Sequence, residues 1–241
     1  MQTTIVIPCY NESKRLQKEA FAKYLENHAD IQFLFVNDGS TDDTLLVLND
    51  FANAHKNAYV LDAQPNSGKA EAVRKGMMHA YIHLTSDLIA FWDADLATPL
   101  DEIDHFITNI KRGDYDMVTG LRLMRLGCNV KRKTMRHHLG RCFATVASQM
   151  LQLPVYDTQC GAKMYKREIV EALFSEPFIT RWLFDVELLS RYIKYYGRAK
   201  AITRIYEYPI LQWNDVNGSQ LKLRDFIKAP LELIKINHKY R

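Results

Sequence analysis

Short apolar runs alternate with longer amphipathic segments through the first half of the chain, the pattern that βαβ units and a parallel sheet produce. Residues 3–8 read as a strand, followed by a helix with Leu16, Ala20, Tyr24 and Leu25 at apolar positions. Residues 32–36 form the second strand, and the helix after it carries Leu45, Leu46, Leu48 and Phe51. A third strand at 58–61 leads into 66–84, where Ala70, Val73, Met77, Ala80 and Tyr81 keep helical spacing. The run Leu88, Ile89, Ala90, Phe91, Trp92 has no polar member and reads as a strand buried on both faces. Pro99 then opens a helix with Leu100, Ile103, Phe106, Ile107 and Ile110 on its apolar side.

The second half is less regular. Residues 116–120 read as a fifth strand and 137–153 as a helix. The segment YDTQCGAKMY, residues 156–165, is too polar and glycine-bearing for regular structure. Helices are expected at 167–174 and 181–197. In the second, Asp185 and Glu187 lie among apolar neighbours, and a charge in such company needs a partner, for which Arg181 and Arg191 are available, or a chemical task. Residues 199–210 read as the last strand and 213–219 as a loop. In the tail, Leu223, Phe226, Ile227, Leu231 and Ile234 form one helical stripe, with Lys222, Lys228, Lys235 and Lys239 around it and Pro230 as a break or a first turn. Such a helix packs on its own domain or lies on a membrane surface. The expected division is a domain at 1–210 and a loop with an amphipathic tail at 211–241.

Composition narrows the class. A 241-residue chain that is 47% hydrophobic can bury a sizeable core. No stretch approaches the roughly 18 to 20 apolar residues that cross a bilayer, and the beginning turns polar by Asn11, so a cytoplasmic protein is expected. The cysteines, Cys9, Cys128, Cys142 and Cys160, form no C-x-x-C pair and read as free thiols. Net charge is only +4, yet Met117 to Tyr156 holds no Asp or Glu and seven cations, Arg122, Arg125, Lys131, Arg132, Lys133, Arg136 and Arg141. Such a block attracts anions. It lacks the interleaved aromatics of a nucleic-acid platform, and no reading helix accompanies it, so nucleic acid is not the expected partner.

Candidate chemistry clusters where strands end. The stretch FWDADLATP, residues 91–99, puts two carboxylates, Asp93 and Asp95, at the carboxyl end of the buried strand, the edge at which open α/β sheets bind ligands. Paired carboxylates suit a hard divalent cation that also holds substrate phosphates. The first strand exits through Pro8-Cys-Tyr-Asn-Glu12: Tyr10 offers a ring face to a base and Glu12 a carboxylate to a ligand amine or hydroxyl. The second exits through NDGSTDDT, where Asp38 faces the crevice and Ser40 or Thr41 caps the next helix. The third exits through NSGKAEAV, where Gly68 and Lys69 precede a helix start suited to anions, without the residues of a P-loop.

Together, Pro8 to Glu12, NDGST at 37–41, NSGK at 66–69 and DAD at 93–95 resemble the family 2 inverting glycosyltransferases of the GT-A fold. TGLR at 119–122, DTQCGAKMY at 157–165, RWLFDVELL at 181–189 and the Pro-Ile, Trp and Gly-Ser run at 209–219 look like the dolichyl-phosphate glucosyltransferase branch, close to the polyprenyl-phosphate mannosyl- and glucosyltransferases. The resemblance implies an α/β GT-A fold, a mostly parallel, Rossmann-like central sheet flanked by helices, and a tail. It implies a nucleotide-sugar donor, UDP-glucose by preference, a divalent cation, Mg2+ or Mn2+, and a lipid-phosphate acceptor met at the cytoplasmic face of a membrane, in cell-envelope glycan synthesis. By position it puts Pro8, Tyr10, Glu12, Asp38, Lys69 and Asp93 around the donor, Asp95 with Asp93 at the metal, and Arg122 with Arg132 or Arg136 at the acceptor phosphate. A related mannosyltransferase pattern has Gln where this chain has Ala97, which leaves Asp95 as the main protein ligand.

The same residues state the chemistry. A divalent cation stabilises charge on a departing nucleoside diphosphate. An ionised phosphate acceptor needs positioning by Arg122 and its neighbours and no strong base, whereas a sugar hydroxyl would need a carboxylate to take its proton, with Asp185 the candidate. Two other readings stand beside the lipid-phosphate transferase: a family 2 enzyme extending a polysaccharide or glycan through that base, and a nucleotide-sugar-binding module without turnover.

Overall fold

The computed structural model describes residues 1–131, 134–214 and 223–240, with the side chains at 131, 134–139, 142 and 223–227 left aside. In chain order its elements are β1 (Thr3–Cys9), α1 (Lys18–Asn27), β2 (Ile31–Asn37), α2 (Thr44–Ala54), β3 (Ala58–Asp62), α3 (Lys69–His83), β4 (Leu88–Trp92), α4 (Glu102–Gly113), β5 (Met117–Leu121), β6 (Asn129–Lys131), α5 (Thr134–Leu151), β7 (Ala162–Lys166), α6 (Arg167–Phe174), α7 (Phe184–Tyr196), α8 (Arg198–Arg204), β8 (Ile205–Pro209), β9 (Gln212–Asn214) and α9 (Leu223–Tyr240). Two compact units result, one of Met1–Leu96 with Gly161–Pro177 and one of Ala97–Cys160 with Phe178–Arg241. Helix α9 is part of the second unit, where it packs on α5 and α7.

In the first unit the strands run β3-β2-β1-β4-β7. The first four are parallel, with Thr3 beside Ile31 and Leu88, and Phe33 beside Ala58. Ile5, Val6, Phe33, Leu34, Phe35 and all of β4 are fully buried, as apolar runs covered by helices on both faces must be. β7 is antiparallel to β4, Trp92 opposite Ala162 and Leu88 opposite Lys166. A strand here corrects the expectation of irregular structure through 156–165. Lys163 and Tyr165 disguise it in the sequence, yet both are buried, Lys163 over the Phe91 ring at 5.4 Å and Tyr165 edge-on to Phe174 at 5.3 Å.

In the second unit β5 and β8 pair in parallel, Met117 beside Ile205, and β6 pairs with β9, Val130 beside Trp213. Two expectations are corrected. Residues 199–210 are not one strand: Gly197 ends α7 and α8 intervenes before β8, its single buried residue Ala201 too little to register as a helical stripe. Residues 212–214 are a strand rather than loop, and 215–219 lie outside the described residues. Helix α9 runs through Pro230 without a break. Its buried face is Ala229, Leu233 and Ile236, while Leu231 and Ile234 are exposed, so the packed stripe is not the one expected from the sequence; the side chains of Leu223, Phe226 and Ile227 are not among those described.

Candidate active site

Parallel β1, β2, β3 and β4 bring their carboxyl ends to one edge, where Cys9 lies beside Asn37 and Asn37 beside Asp62. The loops leaving that edge are bound to one another. The Asn11 N–H donates to Ser40 Oγ at 3.1 Å and the Thr41 N–H to Asn11 Oδ1 at 2.9 Å. The Glu12 N–H donates to Thr44 Oγ1 at 2.8 Å. Asp42 accepts from Ser13 Oγ at 2.6 Å, from the Ser13 N–H at 3.3 Å and from Thr44 Oγ1 at 2.5 Å. Burial pushes the Asp42 carboxyl up, but the bonds from Ser13 and Thr44 outweigh it and hold the pKa down at about 2.

Asp38 ties the second exit to the third. Its Oδ1 accepts the Ser67 N–H at 2.8 Å and the Ser67 hydroxyl at 3.1 Å, and its Oδ2 accepts the Gly68 N–H at 2.8 Å. The side chain is buried against that loop, rather than facing the crevice as the sequence suggested. The consequence is that Lys69, the first residue of α3, is held in place by the second strand's exit.

Asp93 and Asp95 follow β4 in a tight turn, with the Leu96 N–H donating to the Asp93 carbonyl at 3.2 Å and Leu96 at φ +52. Asp93 is ion-paired with Lys69, and its N–H donates to the Gly161 carbonyl at 3.1 Å. Gln17 Nε2 donates to the Asp95 carbonyl at 3.1 Å. Glu12 is held by Arg15, Nε at 3.0 Å and Nη2 at 2.5 Å. That hydrogen-bonded pairing raises the guanidinium pKa against burial, and the charges of Glu12 and Asp95 raise it further. Arg15 thus lies in the field of both carboxylates, a relationship that no motif in the chain announces. Tyr10 is exposed and Pro8 partly so.

No group of three or more His, Cys, Asp or Glu that could hold a metal occurs among the described residues. Two carboxylates in one turn nevertheless fit Mg2+ or Mn2+, which take one or two protein carboxylates and complete their shell with substrate phosphate and water.

In the second unit Arg122, the residue after β5, grips Asp157 with two prongs, Nε to Oδ2 and Nη2 to Oδ1, both at 2.7 Å, while its backbone N–H donates to Oδ2 at 3.1 Å. Its guanidinium lies 5.4 Å from the centre of the Trp213 ring. Glu207 on β8 accepts the N–H groups of Tyr156 and Asp157, each at 2.7 Å, so the carboxylate that orients Arg122 is itself oriented. Arg132 lies outside the described residues. Arg136 belongs to α5, but its side chain is not described. Asp185 is buried in the first turn of α7. Glu187, also buried, pairs with Arg191 at 2.9 Å and accepts the Tyr240 hydroxyl at 2.7 Å, the partners that a charge in apolar surroundings needs. Sequence reasoning missed Asp157, Gly161 and Glu207; the odd composition of 156–165 was the signal for the first two.

Residues 4–174 match the family described as Glycosyl transferase family 2. The chain belongs to that family. This family 2 chain is 32% identical to a dolichyl-phosphate beta-glucosyltransferase of Trichomonas vaginalis, over 97% of its own length and 70% of the relative's. It is 28% identical to the dolichyl-phosphate beta-glucosyltransferase of Saccharomyces cerevisiae, over 98% of its length and 74% of the relative's. Among solved structures it is similar to glucosyl-3-phosphoglycerate synthase from Mycobacterium tuberculosis in complex with Mn2+, UDP and glucosyl-3-phosphoglycerate, with a TM-score of 0.70 and 18% identity, covering 99% of this chain and 79% of that one. It is also similar to a mannosyltransferase from Pyrobaculum calidifontis in complex with GDP-Man and Mn2+, with a TM-score of 0.66 and 18% identity, covering 99% and 63%. The fold is the GT-A fold, as the strand-end motifs imply.

Proposed function

We propose that this family 2 glycosyltransferase moves glucose from UDP-glucose to a dolichyl- or polyprenyl-phosphate acceptor, with inversion at the anomeric carbon. The observation that carries this is the extent of the likeness to dolichyl-phosphate beta-glucosyltransferases, which spans 97% of the chain and so includes both the Asp93–Asp95 turn and the Arg122–Asp157 pair.

The donor lies along the rim formed by the first three strand exits, its base over Tyr10 and its diphosphate near Lys69. Asp95, with Asp93 beside it, would hold a divalent cation, which would supply positive charge to the leaving diphosphate. Lys69 holds Asp93 in place, and Arg15, bonded to Glu12, adds positive charge near Asp95. An oxygen of the acceptor phosphate, already ionised at neutral pH, attacks the anomeric carbon from the face opposite the diphosphate. The new C–O bond forms as the old one breaks, and its electron pair leaves with the nucleoside diphosphate. No base is needed, and Arg122, whose planar fork suits phosphate oxygens, orients the nucleophile, with Arg132 and Arg136 as further cations of the same block. The acceptor is met at the cytoplasmic face of a membrane; no described helix is long and apolar enough to cross one.

Incubation with UDP-glucose, Mn2+ and a short polyprenyl phosphate, and separately with a sugar acceptor, tests this by product mass. Glucosyl phosphate lipid in the first arm is expected. Product in the second arm alone would replace it with the glycan-extending reading, in which Asp185 takes the hydroxyl proton, and donor binding without product in either arm would leave a binding module.

A further inference from the structure

Between Arg122 and β6 the chain makes a loop with an apolar tip. Leu126 is 99% exposed and Met124 47% exposed, with exposed Arg125 between them. The tip is a defined turn. The Cys128 N–H donates to the Arg125 carbonyl at 3.3 Å, and Gly127 sits at φ +81, the value that the third residue of a type II turn requires. Leu126 is thereby held at the outermost position. Both feet of the loop are fixed, since the Leu123 N–H donates to Leu121 at 3.0 Å, the Asn129 N–H donates to Leu211 at 2.8 Å, and Arg122 is locked to Asp157.

Single exposed apolar residues are ordinary. Here two, Met124 and Leu126, flank Arg125 at one loop tip, within a stretch of forty residues from Met117 to Tyr156 whose sequence has seven cations and no acid. Apolar residues flanked by cations match the boundary between headgroups and acyl chains of an anionic bilayer.

We propose that the turn at 124–127 inserts into the surface of an anionic membrane, Leu126 and Met124 entering the acyl boundary and Arg125 meeting lipid phosphates. This rests on the lipid-phosphate acceptor proposed above and adds how it is reached. Leu126 is four residues from Arg122, a reach of at most about 14 Å of extended chain, so insertion of the tip brings Arg122 to the depth at which lipid phosphates lie.

The full chain is sedimented with vesicles of phosphatidylcholine alone and of phosphatidylcholine with phosphatidylglycerol. Binding to the second only, weakened about tenfold by Leu126→Ser and further by Leu126→Ser with Met124→Ser, is expected. Transfer to a short, water-soluble prenyl phosphate should be unchanged in both variants, while transfer to a long-chain acceptor in vesicles falls. Vesicle binding that is absent, or indifferent to Leu126, overturns the proposal. So does loss of a dimer in the variants by light scattering with vesicle binding intact, which would assign the turn to a contact between copies. Leu126-dependent vesicle binding with no transfer to any prenyl phosphate supports the membrane contact and overturns the acceptor reading alone.

Discussion

The carboxylate of Asp93 occupies the space in which a side chain at residue 161 would begin: a β-carbon on Gly161 would lie 1.9 Å from Asp93 Oδ2 and 2.3 Å from its Cγ. The antiparallel strand β7 starts at the next residue, so the glycine before it serves as the floor on which the first aspartate of the turn rests. Gly161→Ala must displace that carboxylate from Lys69. We expect affinity for UDP-glucose with Mn2+ to fall at least about tenfold, with a stability loss of about 1–3 kcal/mol from overpacking. In an Asp93→Ala background the same change should cost little more, because the colliding atoms are gone. Calorimetric titration of the four proteins measures this, and additive losses would show that Gly161 acts elsewhere.

Asp38 accepts three hydrogen bonds from the 67–68 segment. Asp38→Ala strands two backbone N–H groups, and unfolding in urea should show a loss of about 1–3 kcal/mol. Because the loop also fixes Lys69, donor affinity should fall with it. A drop in donor affinity at unchanged stability would instead assign Asp38 to direct contact with the base.

What could be read in advance followed from burial. β4 is buried throughout and appears as an uninterrupted apolar run, β1 and β2 hold the shorter apolar runs 5–7 and 33–36, and the exits of all three carry the motifs. β7 is equally buried, but it contains Lys163 and Tyr165, whose apolar stems and rings pack while their polar tips mislead a pattern based on residue type. The Asp93–Asp95 turn was legible because its residues are adjacent. The partners of Asp38 and Arg122 were not: Ser67 is 29 positions from the one and Asp157 is 35 from the other, distances over which only the packed fold decides which groups meet. The tail carries two apolar stripes in its sequence, and packing on α5 and α7 covers the one through Leu233 and Ile236.

The link between the first two exits depends on pH. Asp42 has its pKa lowered from 3.8 to about 2. A carboxyl more acidic in the folded chain contributes stability above its unfolded pKa and loses it as pH falls toward the folded one. The bonds to Ser13 and Thr44 should therefore hold at pH 5 and weaken between about pH 4 and pH 2. Carboxyl carbon shifts measured by NMR across that range should give a midpoint near 2 for Asp42. A midpoint at the ordinary value would mean that the clamp contributes nothing in solution.

The Arg122–Asp157 pair separates orientation from charge. Both side chains are mostly buried, so the carboxylate cancels much of the arginine's field while fixing its plane. Asp157→Asn keeps the shape and removes the charge. If Arg122 served only as a source of positive potential, the variant would bind the acceptor phosphate better. If its orientation matters, acceptor kcat/KM falls, by about tenfold to a hundredfold, even as inorganic phosphate, which needs no particular alignment, inhibits more strongly. We expect this opposed pair of changes, with the KM for UDP-glucose unaltered, and Arg122→Lys should lose acceptor kcat/KM too because an ammonium cannot make the two-pronged bond. Steady-state kinetics with each substrate varied, and with phosphate as inhibitor, decide the matter. Parallel loss of acceptor use and phosphate inhibition in Asp157→Asn would place the acceptor's phosphate somewhere other than Arg122.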